Sequence, residues 1–247
     1  MKIIYLMWQR QIIRYWRSRA RMIGALGQPV LFFLALGFGF GPVYAKAGGG
    51  NYIEFLAPGI MAMTILFTSM FAGMEIIWDR QFGFLKETMV APVTRWEIML
   101  GKTFGGATIA VIQALVVFII TLFFGFSVNW ALFPLALVFM FILACAFTAL
   151  GISIASQLED MQAFPIIMNF MVMPIFFLSG ALFPLDNLPK VVSAIVAIDP
   201  LTYGVDGIRG ALISGSHYGI GFDFLVLTLV ALALTGVGTY LFSRMQV

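Results

Sequence analysis

Six apolar runs without a single charged residue dominate this chain, and they leave few folds open to it. They cover roughly residues 22–43, 55–74, 103–126, 131–155, 161–183 and 224–243, each 20 to 25 residues long. About 20 apolar residues suffice to carry a helix across the hydrocarbon core of a bilayer. A transmembrane β-barrel would need alternating strands of about ten residues, a pattern not seen here. Composition agrees: 62% of the 247 residues are hydrophobic and 10% charged, against about 25% charged in a soluble domain. There is too little polar surface to coat a globule. The expected fold class is an all-α polytopic membrane protein with six transmembrane helices.

Charge placement orients the spans. Residues 1–21 carry Lys2, Arg10, Arg14, Arg17, Arg19 and Arg21 and no acid. With both ends inside, segments 1–21, 75–102, 156–160 and 244–247 hold eleven Lys/Arg, and the outer ones hold three: Lys46, Lys190 and Arg209. The positive-inside rule places both termini in the cytoplasm, the acidic Glu159 and Asp160 weighing little. Arg10, Arg14, Arg17 and Arg21 are spaced 4, 3 and 4 apart, so they share a helical face, while Ile3, Leu6, Ile13 and Trp16 can face lipid. This suits an amphipathic helix over 1–21 lying in the membrane surface; a bare orientation signal is the alternative. The basic stretch is long and leads into a full span, unlike a cleavable signal.

Residues 78–102 form the longest polar segment past the amino-terminal one. Flanked by spans, it reads as a cytoplasmic loop in water. A short helix is expected over 79–90, stopped before Pro92, because the residue before a proline disfavours helical angles. Thr94 lies three residues ahead of Glu97, the spacing of a capping box, so a second helix should start there. Phe82, Phe84 and Leu85 offer an apolar knob, with Arg80, Lys86 and Glu87 as its rim. On the other side, 188–198 and 201–213 are apolar but too short to cross, and read as re-entrant. Asp199-Pro200 marks a turn between them. Asp206 and Arg209, three apart, can pair to hold the hairpin or can touch a substrate.

Other chemistry is thin. Gly101-Lys102-Thr103 resembles the end of a P-loop, yet position 96, where the motif needs glycine, is Trp. One cysteine, Cys145, can make neither an internal disulfide nor a zinc site. His217, the single histidine, reads as solvated. Gln113, Thr148 and Asn169 read as hydrogen bonds between helices. Gly37/Gly41 and Gly101/Gly105 are GxxxG pairs that allow close helix approach.

Three segments carry a resemblance. The first runs Asp79-Arg80-Gln81-Phe82-Gly83-Phe84-Leu85-Lys86-Glu87, then Val90-Ala91-Pro92-Val93-Thr94-Arg95, to Leu100-Gly101-Lys102. The second is Leu178-Ser179-Gly180-Ala181-Leu182-Phe183-Pro184-Leu185 with Leu188-Pro189. The third is Pro200-Leu201-Thr202-Tyr203 with Arg209. Over nearly its whole length the chain resembles the permease subunit of type 2 ABC transporters, a class of drug-resistance, nodulation-factor and polysaccharide exporters, and the drug-resistance branch looks most similar. The resemblance implies a type V exporter fold: a connecting helix, six spans from residue 22 on, and a re-entrant pair before the last span. It implies a coupling helix through Asp79, Arg80, Phe82, Gly83, Phe84, Leu85, Lys86 and Glu87. It implies an outer gate at Pro184, Pro189, Asp199, Pro200, Tyr203, Asp206 and Arg209. It implies no catalytic residue, metal or cofactor in this chain: ATP and magnesium would bind two copies of a separate ATP-binding subunit, which drive a pair of permeases, as a homodimer, in the cell membrane. The partners are thus that ATPase, a second permease copy and the bilayer, with no nucleic acid. The expected substrate is hydrophobic or amphipathic. Export of a lipid-linked glycan, and a membrane scaffold with no transport role, are the alternatives.

Overall fold

A computed structural model describes residues 2–46, 50–85, 93–158, 160–185 and 188–245. The described residues fold into helices: α1 Lys2–Arg17, α2 Arg19–Lys46, α3 Tyr52–Ala72, α4 Met74–Gln81, α5 Arg95–Phe123, α6 Phe133–Gln157, α7 Ala163–Leu178, α8 Lys190–Ile198, α9 Pro200–Ile213 and α10 Ile220–Arg244. Five of them, counting α3 and α4 as one rod, are long and apolar enough to cross a bilayer: α2, α3–α4, α5, α6 and α10. The run at 161–183 behaves differently from its expectation as a full span. Its helix, α7, has 16 residues, about 24 Å at 1.5 Å per residue, short of the roughly 30 Å hydrocarbon core. The cause is local. Gly180 turns the chain with φ +72°, which only glycine adopts without cost, and the Ser179 hydroxyl bonds back to the Phe176 carbonyl at 2.8 Å.

The helices pack through glycines where backbones meet. A Cβ on Gly73 would lie 2.3 Å from the Gly151 carbonyl oxygen, and one on Gly151 would lie 2.4 Å from that of Met70. That crossing lets the α3–α4 rod lie on α6. Gly101 and Gly105 serve α1 in the same way: added Cβ atoms would sit 2.6 Å from the Cβ atoms of Met7 and Gln11. The other GxxxG pair does less. Gly37 has ordinary contacts with Ile53 and Leu56, and nothing lies within 4 Å of Gly41.

The polar segment is not the free loop expected of it. The span before it stays helical to Gln81 and the one after it is helical from Arg95. The helix anticipated over 79–90 is interrupted at Phe82-Gly83, where Gly83 takes φ +75° and its N–H closes on the Arg80 carbonyl at 3.2 Å, a left-handed helix end that glycine accommodates. Residues 86–92, with Lys86, Glu87 and Pro92, lie outside the described residues. The capping box forms: the Glu97 carboxylate accepts from the Thr94 N–H at 3.2 Å and from its hydroxyl at 2.7 Å. Two short helices also stand where the outer segment called for them, α8 and α9, bent by 83° at Asp199-Pro200.

Candidate coupling and gating sites

Two groups of polar side chains sit at opposite ends of this bundle. The basic end is organised by Asp79. It lies on the last turn of α4, is 4% exposed, and gathers three cations. Arg10 Nη2 donates to Oδ1 at 3.3 Å and Arg14 Nη1 to the same oxygen at 3.4 Å. The ammonium of Lys102 bonds to Oδ2, and Lys102 is itself only 3% exposed. Burying an ammonium is costly unless a counter-charge comes with it, and Asp79 supplies one. Its single charge meets three positive ones, so the cluster keeps a positive excess, relieved by water at Arg10 and Arg14. Arg21, in the first turn of α2, makes a parallel bond to Glu75 at 2.8 Å and ties α2 to α4. Trp8 Nε1 donates to the Thr108 hydroxyl at 3.0 Å. α1 is thereby clamped onto α4 and α5. Its arginines at 10 and 14 face the protein, while Leu6, Ile13 and Trp16 stay exposed; the single helix expected over 1–21 is instead broken at Ser18, so that Arg21 belongs to α2, Arg17 is exposed and Ile3 is half-buried.

This arrangement redistributes the predicted coupling residues. Asp79 is internal. Arg80 reaches the Leu158 carbonyl at 2.6 Å and ties α4 to the end of α6. Leu85 is buried, and the Phe84 ring lies under the Arg10 guanidinium, 3.4 Å from its centre. Of the expected knob, only Phe82 stands out, 81% exposed. It sits at the Gly83 turn, immediately beyond the rigid end of α4.

At the hairpin end, Asp199 caps α9 by accepting the Leu201 N–H at 2.9 Å, and Pro200 takes the first helical position, where its missing N–H is not needed. The Tyr203 hydroxyl donates to the Ala197 carbonyl at 2.6 Å and that of Thr202 to the Val196 carbonyl at 3.0 Å. These bonds hold α8 at its angle. Pro189 precedes α8 as its N-cap, and Pro184 is exposed in the non-helical stretch before it. Asp206 and Arg209 do not pair. The Asp206 carboxylate accepts the backbone N–H groups of His217 and Tyr218 at 2.8 Å. Arg209 turns the other way, donates to the carbonyls of Gly180 at 3.0 Å and Phe55 at 3.3 Å, and lies over the Phe55 ring. Residues three apart along a helix share a face, but the short Asp206 and the long Arg209 side chains reach in different directions, and each bonds to backbone groups. A profile of the ABC-2 type transporter family matches residues 3–213 of this chain, from the start of α1 to the end of α9.

The chain belongs to the ABC-2 type transporter family. It is a membrane transport subunit, and its family works with an ATP-binding subunit. This ABC-2 permease is similar to a transport permease, ycf38, of Cyanophora paradoxa, 28% identical over 83% of this chain and 72% of that one. The ycf38 protein of Pyropia yezoensis is 30% identical over 81% of this chain and 70% of its own length. Nodulation protein J of Rhizobium leguminosarum bv. viciae is 27% identical over 83% and 80% respectively.

Several residues of the permease were not foreseen as a group. A cavity of about 120 Å³ lies between α1, α2, the α3–α4 rod and α5, lined by Tyr15, Thr68, Phe71, Glu75, Gly106 and Gln113 among others. Gln113 donates to the Tyr15 hydroxyl at 2.8 Å and accepts from Thr68, the interhelix role expected of it. Thr148 and Asn169 do not follow. The Thr148 hydroxyl is buried without a partner, and Asn169 is exposed on α7 beside Phe170. Gly204 and Gly207 were also missed. Added Cβ atoms would fall 2.5 Å from Leu143 and 2.2 Å from the Phe139 ring, so these glycines let α9 sink against α6, and residues 201 to 212 are buried without a break. Their spacing of three was the available signal. Lys102, in the P-loop-like Gly101-Lys102-Thr103, lies inside α5 with its charge spent on Asp79.

Proposed function

We propose that this chain is the permease of an ATP-driven exporter, assembled as two copies with two copies of a separate ATP-binding subunit that holds the ATP and magnesium. The basic end faces the cytoplasm, as the distribution of Lys and Arg supports. The observation that carries the coupling role is Phe82. A large aromatic side chain stands exposed at the tip of α4, on a base braced by Asp79, Arg10, Arg14 and Lys102. Exposed aromatics on rigid supports are the usual anchors of protein interfaces. A push on Phe82 and the adjoining residues through Glu87 is passed to α4, and through Asp79 directly to α1 and α5.

The substrate is amphipathic. The exposed face of α7, with Ile166, Asn169, Phe170 and Phe177, offers apolar surface with one amide, a wall suited to a molecule with a long apolar part and some polar groups. The nodulation name among the relatives supports a second reading, export of a lipid-linked glycan.

The test is reconstitution with its ATP-binding subunit. Phe82→Ala should insert normally, weaken association by about 2 kcal/mol, roughly thirtyfold in Kd, and lower transport-linked hydrolysis. Phe84→Ala, whose ring is occupied by Arg10, should affect association less. Unchanged association and hydrolysis in Phe82→Ala would remove this segment as the coupling element. Stimulation of hydrolysis by a lipid-linked oligosaccharide, and not by apolar amines or simple lipids, would select the glycan.

A further inference from the structure

The first helix carries more positive charge on one flank than the protein answers. Arg10, Arg14 and Arg17, together with Leu6, Gln9 and Ile13, line an open groove of about 470 Å³ along α1. Arg10 and Arg14 share a single oxygen of Asp79, at 3.3 and 3.4 Å, and Lys102 takes the other. The Arg17 side chain is exposed and bonds to none of the described residues. Four cations thus stand against one carboxylate. Arg10 and Arg14 keep a third of their side chains open to the surroundings, and a guanidinium has more N–H donors than one contact uses.

Two of these guanidiniums are held where they are. Arg10 is bonded to Asp79 and lies 3.4 Å from the centre of the Phe84 ring; Arg14 is bonded to the same acid and lies 5.6 Å from the centre of the Trp78 ring. A ligand therefore meets donors that are already ordered, which lowers the cost of binding. Leu6 and Ile13, both exposed, give the groove an apolar edge beside the basic one. Ser18 alone separates α1 from α2, a helix long and apolar enough to cross a bilayer. Arg17 accordingly stands at the entry to a span, at the level of lipid headgroups.

We propose that this groove binds an anionic phospholipid, with Arg10, Arg14 and Arg17 around its phosphate and Leu6 and Ile13 against the start of an acyl chain. The chemistry selects that ligand. Guanidinium and phosphate form strong charge-assisted hydrogen bonds. A zwitterionic headgroup brings an ammonium into a region that is already positive, and an anionic one does not. A small soluble anion leaves the apolar edge in water. Basic residues beside a span are drawn to anionic lipid for the same electrostatic reason. The bound lipid supplies the negative charge that Asp79 alone cannot, and so becomes part of the brace under α4. Binding depends on the groove and not on which molecule the permease moves; the orientation proposed above decides only which leaflet the lipid comes from.

Native mass spectrometry of the purified permease reads the bound lipid. From an equimolar mixture of phosphatidylglycerol and phosphatidylcholine with the same chains, the wild type should retain phosphatidylglycerol in preference, and less so as salt is raised. Arg17→Gln should weaken this retention about fivefold. That variant loses no side-chain bond within the described protein, so misfolding does not account for the loss. Arg19→Gln removes the same charge from the exposed first residue of α2, outside the groove, and should change retention less than about twofold. Leu6→Ser should also weaken it, and excess inorganic phosphate should not displace the lipid. No preference for phosphatidylglycerol in the wild type, or equal losses in Arg17→Gln and Arg19→Gln, would overturn the proposal and leave the arginines to water or to an acidic partner protein. Displacement by inorganic phosphate, with Leu6→Ser without effect, would overturn the lipid and leave a simple anion site.

Discussion

Asp79→Ala removes one carboxylate from beneath three cations, and the structure says which of them suffers. The Arg10 and Arg14 side chains are 34% and 33% exposed, so water replaces the lost partner, and each contact is worth no more than about 1 kcal/mol. Lys102 is 3% exposed with Asp79 as its ion-pair partner. Its ammonium would be left buried and uncompensated, which costs on the order of 3–5 kcal/mol. The reverse deletion is milder. Lys102→Met leaves Asp79 with both arginines and should cost about 1 kcal/mol. The double variant Asp79→Ala/Lys102→Met removes the stranded charge and should recover most of the loss, to within about 1–2 kcal/mol of wild type, since apolar replacement of a whole buried pair is often neutral. The assay is equilibrium unfolding of the purified permease in mixed micelles, followed by tryptophan fluorescence. Asp79→Ala within about 1 kcal/mol of wild type, or a double variant no better than Asp79→Ala alone, would refute the claim that Lys102 depends on this carboxylate.

Other consequences are simpler to test. Gly105→Val should force α1 off α5 at a cost of about 1–3 kcal/mol and speed tryptic cleavage at Arg10 and Arg14, whereas Gly41→Val, with nothing within 4 Å, should stay within about 0.5 kcal/mol of wild type. Gly207→Ala should lower the Tm by overpacking the Phe139 ring, and Phe139→Leu in the same chain should restore part of the loss. In a Cys145→Ser background, cysteines at Lys2 and Arg244 should be labelled only from the cytoplasm and one at Lys46 only from outside; labelling of position 46 from the cytoplasm would reverse the orientation.

Local features of this permease were largely legible in its sequence. The long apolar runs, the Thr94–Glu97 cap and the break at Asp199-Pro200 each depend on residues within a few positions of one another, and each appears where the pattern placed it. The stop at Gly180 was equally local, yet the uninterrupted apolar run to Phe183 masked it. The contacts that were missed are those between distant segments. Arg10 and Arg14 meet Asp79 across 69 and 65 residues, and hydropathy assigns all three to water. Once Lys102 and Asp79 neutralise each other, a segment that reads as a polar loop becomes partly interior. Arg209 was misjudged for a related reason. Its neighbour in sequence was a carboxylate, but the carbonyls of Phe55 and Gly180, brought by two other parts of the fold, were better placed.

The clamp on α1 also has a history within each molecule. Arg10 and Arg14 are made long before the Asp79 that receives them, and Lys102 comes later still. At about 5–20 residues per second, α1 waits on the order of ten seconds without its counter-charge. During that interval its arginines have only lipid headgroups and water to answer them, while Leu6, Ile13 and Trp16 keep it in the membrane surface. The helix therefore docks after the segments it binds although it is synthesised first. The ionic cluster closes only after the segments that carry Asp79 and Lys102 have been made, so the amino-terminal helix is locked by residues of the second and third long helical segments.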